Sequence, residues 1–363
     1  MIRSIPIEDW IQQPDAPLLV DVRTPAEFAQ GHVPGAVNVP IFSNEERVQV
    51  GTTYKQAGRE PAILLGFDLV GPKWSGFIRQ CLALAPDKRI AVHCWRGGMR
   101  SGAMAWALNM YGFEVCQVRG GYKAFRGWCR YQFERVYNLV VLGGMTGSGK
   151  TRLLRHMARE GDQVIDLEAL ARHQGSAYGS MNRMVQPSQE QFENNLAWQL
   201  KDINPDQRLW LEDESQKIGR CIIPLPLWGR MRTATLVDLQ VPPEQRVAAL
   251  AAEYGVLDAG FLAERTQQIH KRLGPEQTKH AIAAIQEGRI ADFIRIVLVY
   301  YDKTYHRGLG TRDKAAVFPL AITGSDTEAD SITLHDFIQS WPARTKKQGL
   351  KQQSKASTDY QDH

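Results

Sequence analysis

The stretch Asn138–Leu154, NLVVLGGMTGSGKTRLL, decides how the second half of the chain folds. In seventeen residues it passes from an apolar run through a glycine-rich turn to the start of an amphipathic helix. Its core, Gly144-Met145-Thr146-Gly147-Ser148-Gly149-Lys150-Thr151, is a complete phosphate-loop pattern. The glycines let the backbone turn tightly enough for several N–H groups to point at one phosphate. The helix N-terminus adds positive dipole, and Lys150 adds a full charge. Gly144, Thr146, Gly147, Ser148, Gly149, Lys150 and Thr151 are therefore the expected phosphate-binding residues, and the Thr151 hydroxyl is placed to hold Mg²⁺.

Toward the C-terminus, QVIDLE at 163–168 reads as a strand ending in acids, which lie on the ligand side of a parallel sheet. Asp166 and Glu168 are thus candidate substrate-binding residues, although Asp166 equally suits the N-cap of the following helix EALAR. RLWLEDES at 208–215 is an apolar strand followed by three acids, which puts Asp213 or Glu212 near a metal, and Asp213 joins Thr151 as the expected Mg²⁺ pair. From Pro243 to His306 the pattern is helical, with HKRLG at 270–274 offering Lys271 and Arg272 as a basic turn over the site. A last strand and helix follow. The segment RTKKQGLKQQSKASTDYQDH has almost no apolar residues and is expected to be a disordered tail.

Toward the N-terminus, VRGGYKAFRGWCRYQFERVY at 118–137 has helical spacing with aromatics on one side, as a connector helix between two domains would. Ahead of it, LLVDVR at 18–23 is a strand ending in the pair Asp21 and Arg23. Pro25 and Glu27 then open a short helix, and Gly31-His32-Val33-Pro34-Gly35-Ala36 turns the chain. RIAVHCWRGGMRSGAMAWALNMYG supplies a strand, a tight loop and a helix, with Cys94 at the strand end. The paired glycines Gly97 and Gly98 permit positive φ, so that amides converge on the sulfur. Arg96, Arg100 and the helix start should lower the thiol pKa. Cys94, Arg96, Gly97, Gly98 and Arg100 are the expected catalytic residues of this half. Cys81, Cys116 and Cys129 sit in apolar or helical patterns and read as core. Between the two signatures, residues 44–74 read as a polar loop followed by a helix around Ala62–Leu69.

At 363 residues the chain exceeds one hydrophobic core, and 43% hydrophobic residues suffice to fill two. A net charge of +5 is compatible with a polyanionic partner but decides nothing alone. No eighteen-residue apolar run occurs, and MIRSIPIEDWIQQPD mixes charges and prolines where a signal peptide needs an apolar core. No membrane is expected, and the cytoplasm is the default compartment. Five cysteines without a close-spaced pair argue against a disulfide framework and a zinc site.

DVRTPAEF, GHVPGA and the Cys94 loop resemble the signatures of rhodanese-like sulfurtransferase domains. The commonest rhodanese loop has four residues between cysteine and arginine; here there are five, Trp95 to Met99, as in the C-x₅-R loops of phosphatase relatives. The wider cradle suggests that a phosphate-sized group visits Cys94. A rhodanese unit followed directly by a P-loop unit is similar to one family, the tRNA 2-selenouridine synthases, over residues 15 to about 315. The strings that carry the resemblance are DVRTPAEF, GTTYKQAG, CWRGGMRS, GGYKAFR, GGMTGSGKT, DLEALARHQGSAYG, LWLEDES and KRLG, in that order. The expected fold class is α/β. A rhodanese-like domain is expected at 1–125, a connector helix at 126–137, a P-loop NTPase-like parallel-sheet domain at 138–343 and the tail at 344–363.

The resemblance implies conversion of wobble 2-thiouridine in certain tRNAs to 2-selenouridine. Selenophosphate would be the selenium donor, and an S-geranylated intermediate would form from geranyl diphosphate. These two molecules would be co-substrates, tRNA the macromolecular partner, and the selenophosphate-producing enzyme a further one. The phosphate loop would then stabilise a departing diphosphate, and Cys94 would engage selenophosphate or carry selenium as a perselenide. Two rivals stand beside this: a P-loop kinase or NTPase with an accessory rhodanese sulfur-carrier domain, and a pair of anion-binding modules that dock tRNA without turnover.

Overall fold

The structure, a computed structural model, describes residues 2–173 and 185–340. The QGSAYG part of the 163–179 motif and the segment from 344 lie outside the described residues.

The first half builds a five-stranded sheet from β1 (Arg3–Pro6), β2 (Leu18–Asp21), β3 (Val37–Asn38), β4 (Arg89–His93) and β5 (Glu114–Arg119). The strand order is β1-β5-β4-β2-β3, and every pairing is parallel. Leu19, Val20, Ile90, Ala91 and Val92 are fully buried, the continuous apolar pattern of strands covered on both faces. Seven helices belong to this half: α1 (Ile7–Gln12), α2 (Pro25–Gln30), α3 (Asn44–Gln56), α4 (Arg59–Val70), α5 (Trp74–Leu84), α6 (Met99–Met110) and α7 (Gly121–Glu134).

The polar stretch expected to be a loop is helical throughout as α3, which corrects that expectation. Its signal is a capping box: the Ser43 hydroxyl accepts from Glu46 N–H, and the Glu46 carboxylate accepts from Ser43 N–H. No residue of α3 is buried, so the helix has no apolar periodicity to read. The second helix, α4, is correspondingly longer than the apolar run Ala62–Leu69 suggests.

The second half builds another parallel sheet. In chain order it contains β6 (Asn138–Gly144), α8 (Lys150–Arg159), β7 (Gln163–Ile165), α9 (Leu167–Ala171), α10 (Gln189–Leu200), β8 (Arg208–Glu212), the small antiparallel hairpin β9 (Lys217–Ile218) and β10 (Cys221–Ile222), α11 (Leu225–Thr233) and β11 (Thr235–Gln240). A helical arm follows: α12 (Pro243–Tyr254), α13 (Ala259–Gln268), α14 (His270–Leu273), α15 (Pro275–Gln286) and α16 (Ile290–Leu309). β12 (Val317–Ala321) and α17 (Thr327–Gln339) close the unit. The sheet order is β12-β11-β6-β8-β7, which puts the phosphate-loop strand at the centre.

The two sheets share one core. Leu19, Ala91 and Val118 of the first sheet and Leu139, Val141, Leu209 and Leu211 of the second belong to the same buried cluster. Tyr122, Phe125, Trp128 and Phe133 of α7 and Phe192, Leu196 and Leu200 of α10 fill the space between them. The aromatic face of α7 is thus interior on both sides. None of the described helices is long and apolar enough to cross a membrane.

Candidate active sites

Cys94 follows the buried end of β4 and is itself buried. Burial alone would push its thiol pKa up. Hydrogen bonds from the Ser101 side chain and from the Ser101 and Arg96 amides, with the Arg100 charge, outweigh it and hold the thiol below its ordinary value of 9.0. Cys94 Sγ lies 3.4 Å from Ser101 Oγ, and Gln117 Nε2 donates to that hydroxyl at 3.1 Å and to Gly97 O at 2.9 Å. Arg100 lowers the thiol pKa through its charge as expected, whereas Arg96 acts through its amide and not its side chain, which is exposed. Arg100 donates to both carboxylate oxygens of Glu27, at 2.7 and 3.3 Å, so much of its charge is committed. Glu27 is held in turn, for its Oε2 accepts from Thr24 N–H in the capping box of α2.

Of the two loop glycines only Gly97 has positive φ, at 66°; Gly98 is the N-cap of α6 with φ −100°. A second pair, Gly120 and Gly121, completes the loop. A Cβ on Gly97 would stand 2.5 Å from Val118 O, and one on Gly121 would stand 2.2 Å from Cys94 O. The backbones interlock at these points, and Tyr122 N–H and Lys123 N–H donate to Cys94 O and Trp95 O, each at 2.9 Å. Sequence reasoning missed this pair, whose signal was a double glycine directly after a strand.

Beneath the loop, Asp21 accepts from Arg23 Nη2 at 2.6 Å, and the Arg23 guanidinium lies 3.7 Å over the Tyr122 ring centre. His93 Nε2 is buried 3.6 Å from Asp21, without a hydrogen-bond partner among the described residues. Burial is the largest influence on His93 and lowers its pKa, which favours the neutral imidazole.

In the phosphate loop, Gly144, Gly147 and Gly149 have φ of 144°, 82° and 77°, conformations that favour glycine. Lys150 opens α8, and its Nζ donates to Gly144 O at 2.9 Å and lies 3.6 Å from Glu212 Oε1. Thr151 Oγ1 donates to Glu212 Oε2 at 2.8 Å. The buried Ser148 hydroxyl has no hydrogen-bond partner among the described residues. Glu214, two residues on, has its pKa raised by burial and by the neighbouring charges of Glu212 and Glu168.

One expectation, Asp213 beside Thr151, is corrected here. Asp213 does not face Thr151, because Arg312 donates to its Oδ1 at 2.5 Å and Arg232 stands 3.8 Å away; Glu212 is the carboxylate at the threonine. Asp166 is the N-cap of α9, accepting from Ala169 N–H at 2.8 Å, and it also accepts from Arg155 Nε at 2.9 Å. Lys271 and Arg272 are exposed on α14, and their side chains have no hydrogen bond or ion pair among the described residues. The arm reaches the loop through Arg246 instead: its Nε donates to Thr146 O at 2.8 Å, and Asp302 of α16 holds its guanidinium. The sequence carried no signal for Arg246, one arginine on an amphipathic helix.

The start of α7, beside Cys94, meets the start of α10. Tyr122 OH donates to Glu190 at 2.8 Å and accepts from Asn194 Nδ2 at 2.8 Å, and Asn194 also donates to His32 O. The far end of α10 leads to Asn204, whose carbonyl accepts from Gln163 at the beginning of β7. The carboxyl ends of the second sheet therefore lie toward Tyr122.

A sequence profile described as tRNA 2-selenouridine synthase AAA domain matches residues 137–328, and a rhodanese-like domain profile matches 7–127. A tRNA 2-selenouridine synthase of Bordetella petrii is 39% identical over 77% of this chain and 79% of its own length. The chain belongs to the tRNA 2-selenouridine synthase family. Other members of the family include proteins from Pseudomonas fluorescens, 36% identical over 81% of this chain and 85% of its own, and from Aeromonas salmonicida, 34% identical over 84% and 90%. Among solved structures, the N-terminal domain of a putative ATP/GTP binding protein from Clostridium difficile 630 is 41% identical over 34% of this chain and 97% of its own, with a TM-score of 0.33.

Proposed function

We propose that this chain is a tRNA-modifying transferase that replaces the sulfur of wobble 2-thiouridine by selenium in two stages, each at its own loop. The observation that carries the reading is the pairing of a lysine-bearing phosphate loop with a thiolate-stabilising C-x₅-R loop in one molecule with a shared core.

In the first stage the thiocarbonyl sulfur attacks the allylic carbon of geranyl diphosphate. A C–S bond forms, the C–O bond breaks, diphosphate leaves and the N3–H proton of the base passes to water. The N–H groups between Gly144 and Lys150 and the Lys150 charge stabilise the negative charge that builds on the leaving group. Thr151 and Glu212 supply the oxygen donors that Mg²⁺ would take, and the ion would neutralise further diphosphate charge.

In the second stage the Cys94 loop cradles the phosphate of selenophosphate. The Cys94 thiolate forms an S–P bond as the P–Se bond breaks, and the electron pair leaves with selenium as hydroselenide. Hydroselenide attacks carbon 2, the C2–S bond breaks, and geranyl thiolate departs and takes up one proton. Water then hydrolyses the S–P bond and restores Cys94, so no external oxidant or reductant is required. Alkylation in the first stage matters because a thiocarbonyl sulfur is a poor leaving group, whereas a thioether sulfur leaves as thiolate.

Mass spectrometry of the wobble nucleoside tests the sequence of events. Incubation with geranyl diphosphate should yield the S-geranyl nucleoside, and later addition of selenophosphate the seleno-nucleoside. Turnover that requires ATP hydrolysis would favour the kinase or NTPase reading instead.

A further inference from the structure

Helix α6 starts at the Cys94 loop and is apolar on both sides. Its inner face, with Ser101, Met104, Ala105 and Leu108, is buried. Its outer face has Met99, Trp106 and Met110 at spacings of seven and four residues, which align along one side of a helix. Met99 is 60% exposed, Trp106 56% and Met110 70%, and Trp95, in the loop itself, is 39% exposed. A helix that is hydrophobic all round is ordinarily buried, yet α6 packs on β4, β5 and α5 and leaves this face open.

We propose that the outer face of α6 is the seat of the prenyl chain of the S-geranyl nucleoside during the selenium step. The inference rests on the two-stage reading, in which the substrate that reaches Cys94 carries a ten-carbon chain on the sulfur to be displaced. Three observations select this occupant. The stripe is continuous with the catalytic loop, since Met99 is the residue before Arg100 and the first of α6. From Met99 to Met110 the helix rises about 16 Å, longer than an extended ten-carbon chain needs. The loop rim presents the exposed cation Arg96 between the exposed apolar side chains Trp95 and Met99, a pattern suited to a ligand with an anionic end and an apolar end. The face would hold the chain until the C2–S bond breaks and would release it with the geranyl thiol.

The test compares two tRNAs, one with S-geranyl-2-thiouridine and one with S-methyl-2-thiouridine at the wobble position. Each is supplied with selenophosphate and the full-length protein, and kcat/KM for the selenium product is read by mass spectrometry. The wild-type protein should favour the geranyl substrate by at least about tenfold, since methylene groups on an exposed face each contribute part of their burial energy. Met99→Ala with Trp106→Ser should remove most of that preference, and Trp106→Phe should retain it. Both side chains are exposed, and a thermal melt checks that the variants fold. A double variant that keeps the wild-type preference overturns the inference while leaving the two-stage reading intact. A wild-type protein that makes no selenium product from S-geranyl tRNA defeats the two-stage reading itself. A wild-type dimer that Trp106→Ser dissociates would show that a second copy occupies the face, and would also overturn the inference.

Discussion

Two side chains divide the chemistry, and each should fail alone. Lys150→Ala removes the lysine charge at the phosphate loop and leaves its N–H cradle and Arg246 in place. Loss of one preorganised contact typically lowers a rate by about a hundredfold or more, so geranyl transfer should fall by that factor while pre-geranylated tRNA is still converted when selenophosphate is given. Cys94→Ala should show the reverse pattern, with geranylation retained and no selenium incorporated. Single-turnover assays of each step check both, and a Cys94→Ala protein that binds tRNA but does not geranylate would contradict the division. The pH profile follows from the thiol environment. A depressed pKa means that the thiolate persists below pH 9.0 and is lost as pH falls through that lowered value, so the selenium step should decline only on the acid side. Ser101→Ala removes a hydrogen bond to the thiolate, and the acid limb should move to higher pH. An unmoved limb in that variant would mean that Cys94 does not govern the rate.

At the scale of elements, the Cys94 loop is held by the start of α7. Gly121 combines φ 56° with a site where a Cβ would lie 2.2 Å from a carbonyl oxygen, so Gly121→Ala must push the helix and the loop apart. We expect a loss of roughly 2 kcal/mol or more in urea unfolding, with the selenium step reduced further than geranylation. Much of this architecture was legible in the chain. Apolar strands followed by glycine-rich turns, at Val92–Gly98 and Val141–Gly149, announced both loops, because tight turns and converging amides restrict residue choice strongly. Partnerships between distant segments were not legible. Asp213 and Glu212 are adjacent acids after one strand, and only the approach of Arg312, a hundred positions away to the nearest ten, decides which of them reaches Thr151. Asp166 has the same chemistry as a ligand or as an N-cap, and the choice depends on where Arg155 lies. Helix α3 was hidden because none of its residues is buried, so its cap was the clearest mark it left.

For the whole molecule, the common core has a thermodynamic consequence. Phe125, Trp128 and Phe133 of α7 are buried in a cluster drawn from both sheets, and separating the halves would expose them together. Denaturant unfolding followed by far-UV circular dichroism and by a fluorescent probe attached in each half should therefore give coincident transitions. Separated transitions would show that the halves are energetically independent. The interlocked glycines reach beyond stability to how this protein can be rebuilt. The smallest transplantable cassette for the thiolate site is discontinuous, Cys94–Ser101 together with Gly120–Lys123, since Gly97 and Gly121 each occupy space that the other strand of the interlock requires. A recipient scaffold given the first segment alone would inherit the cysteine without its mould, whereas one given both would receive the anchoring helix as well.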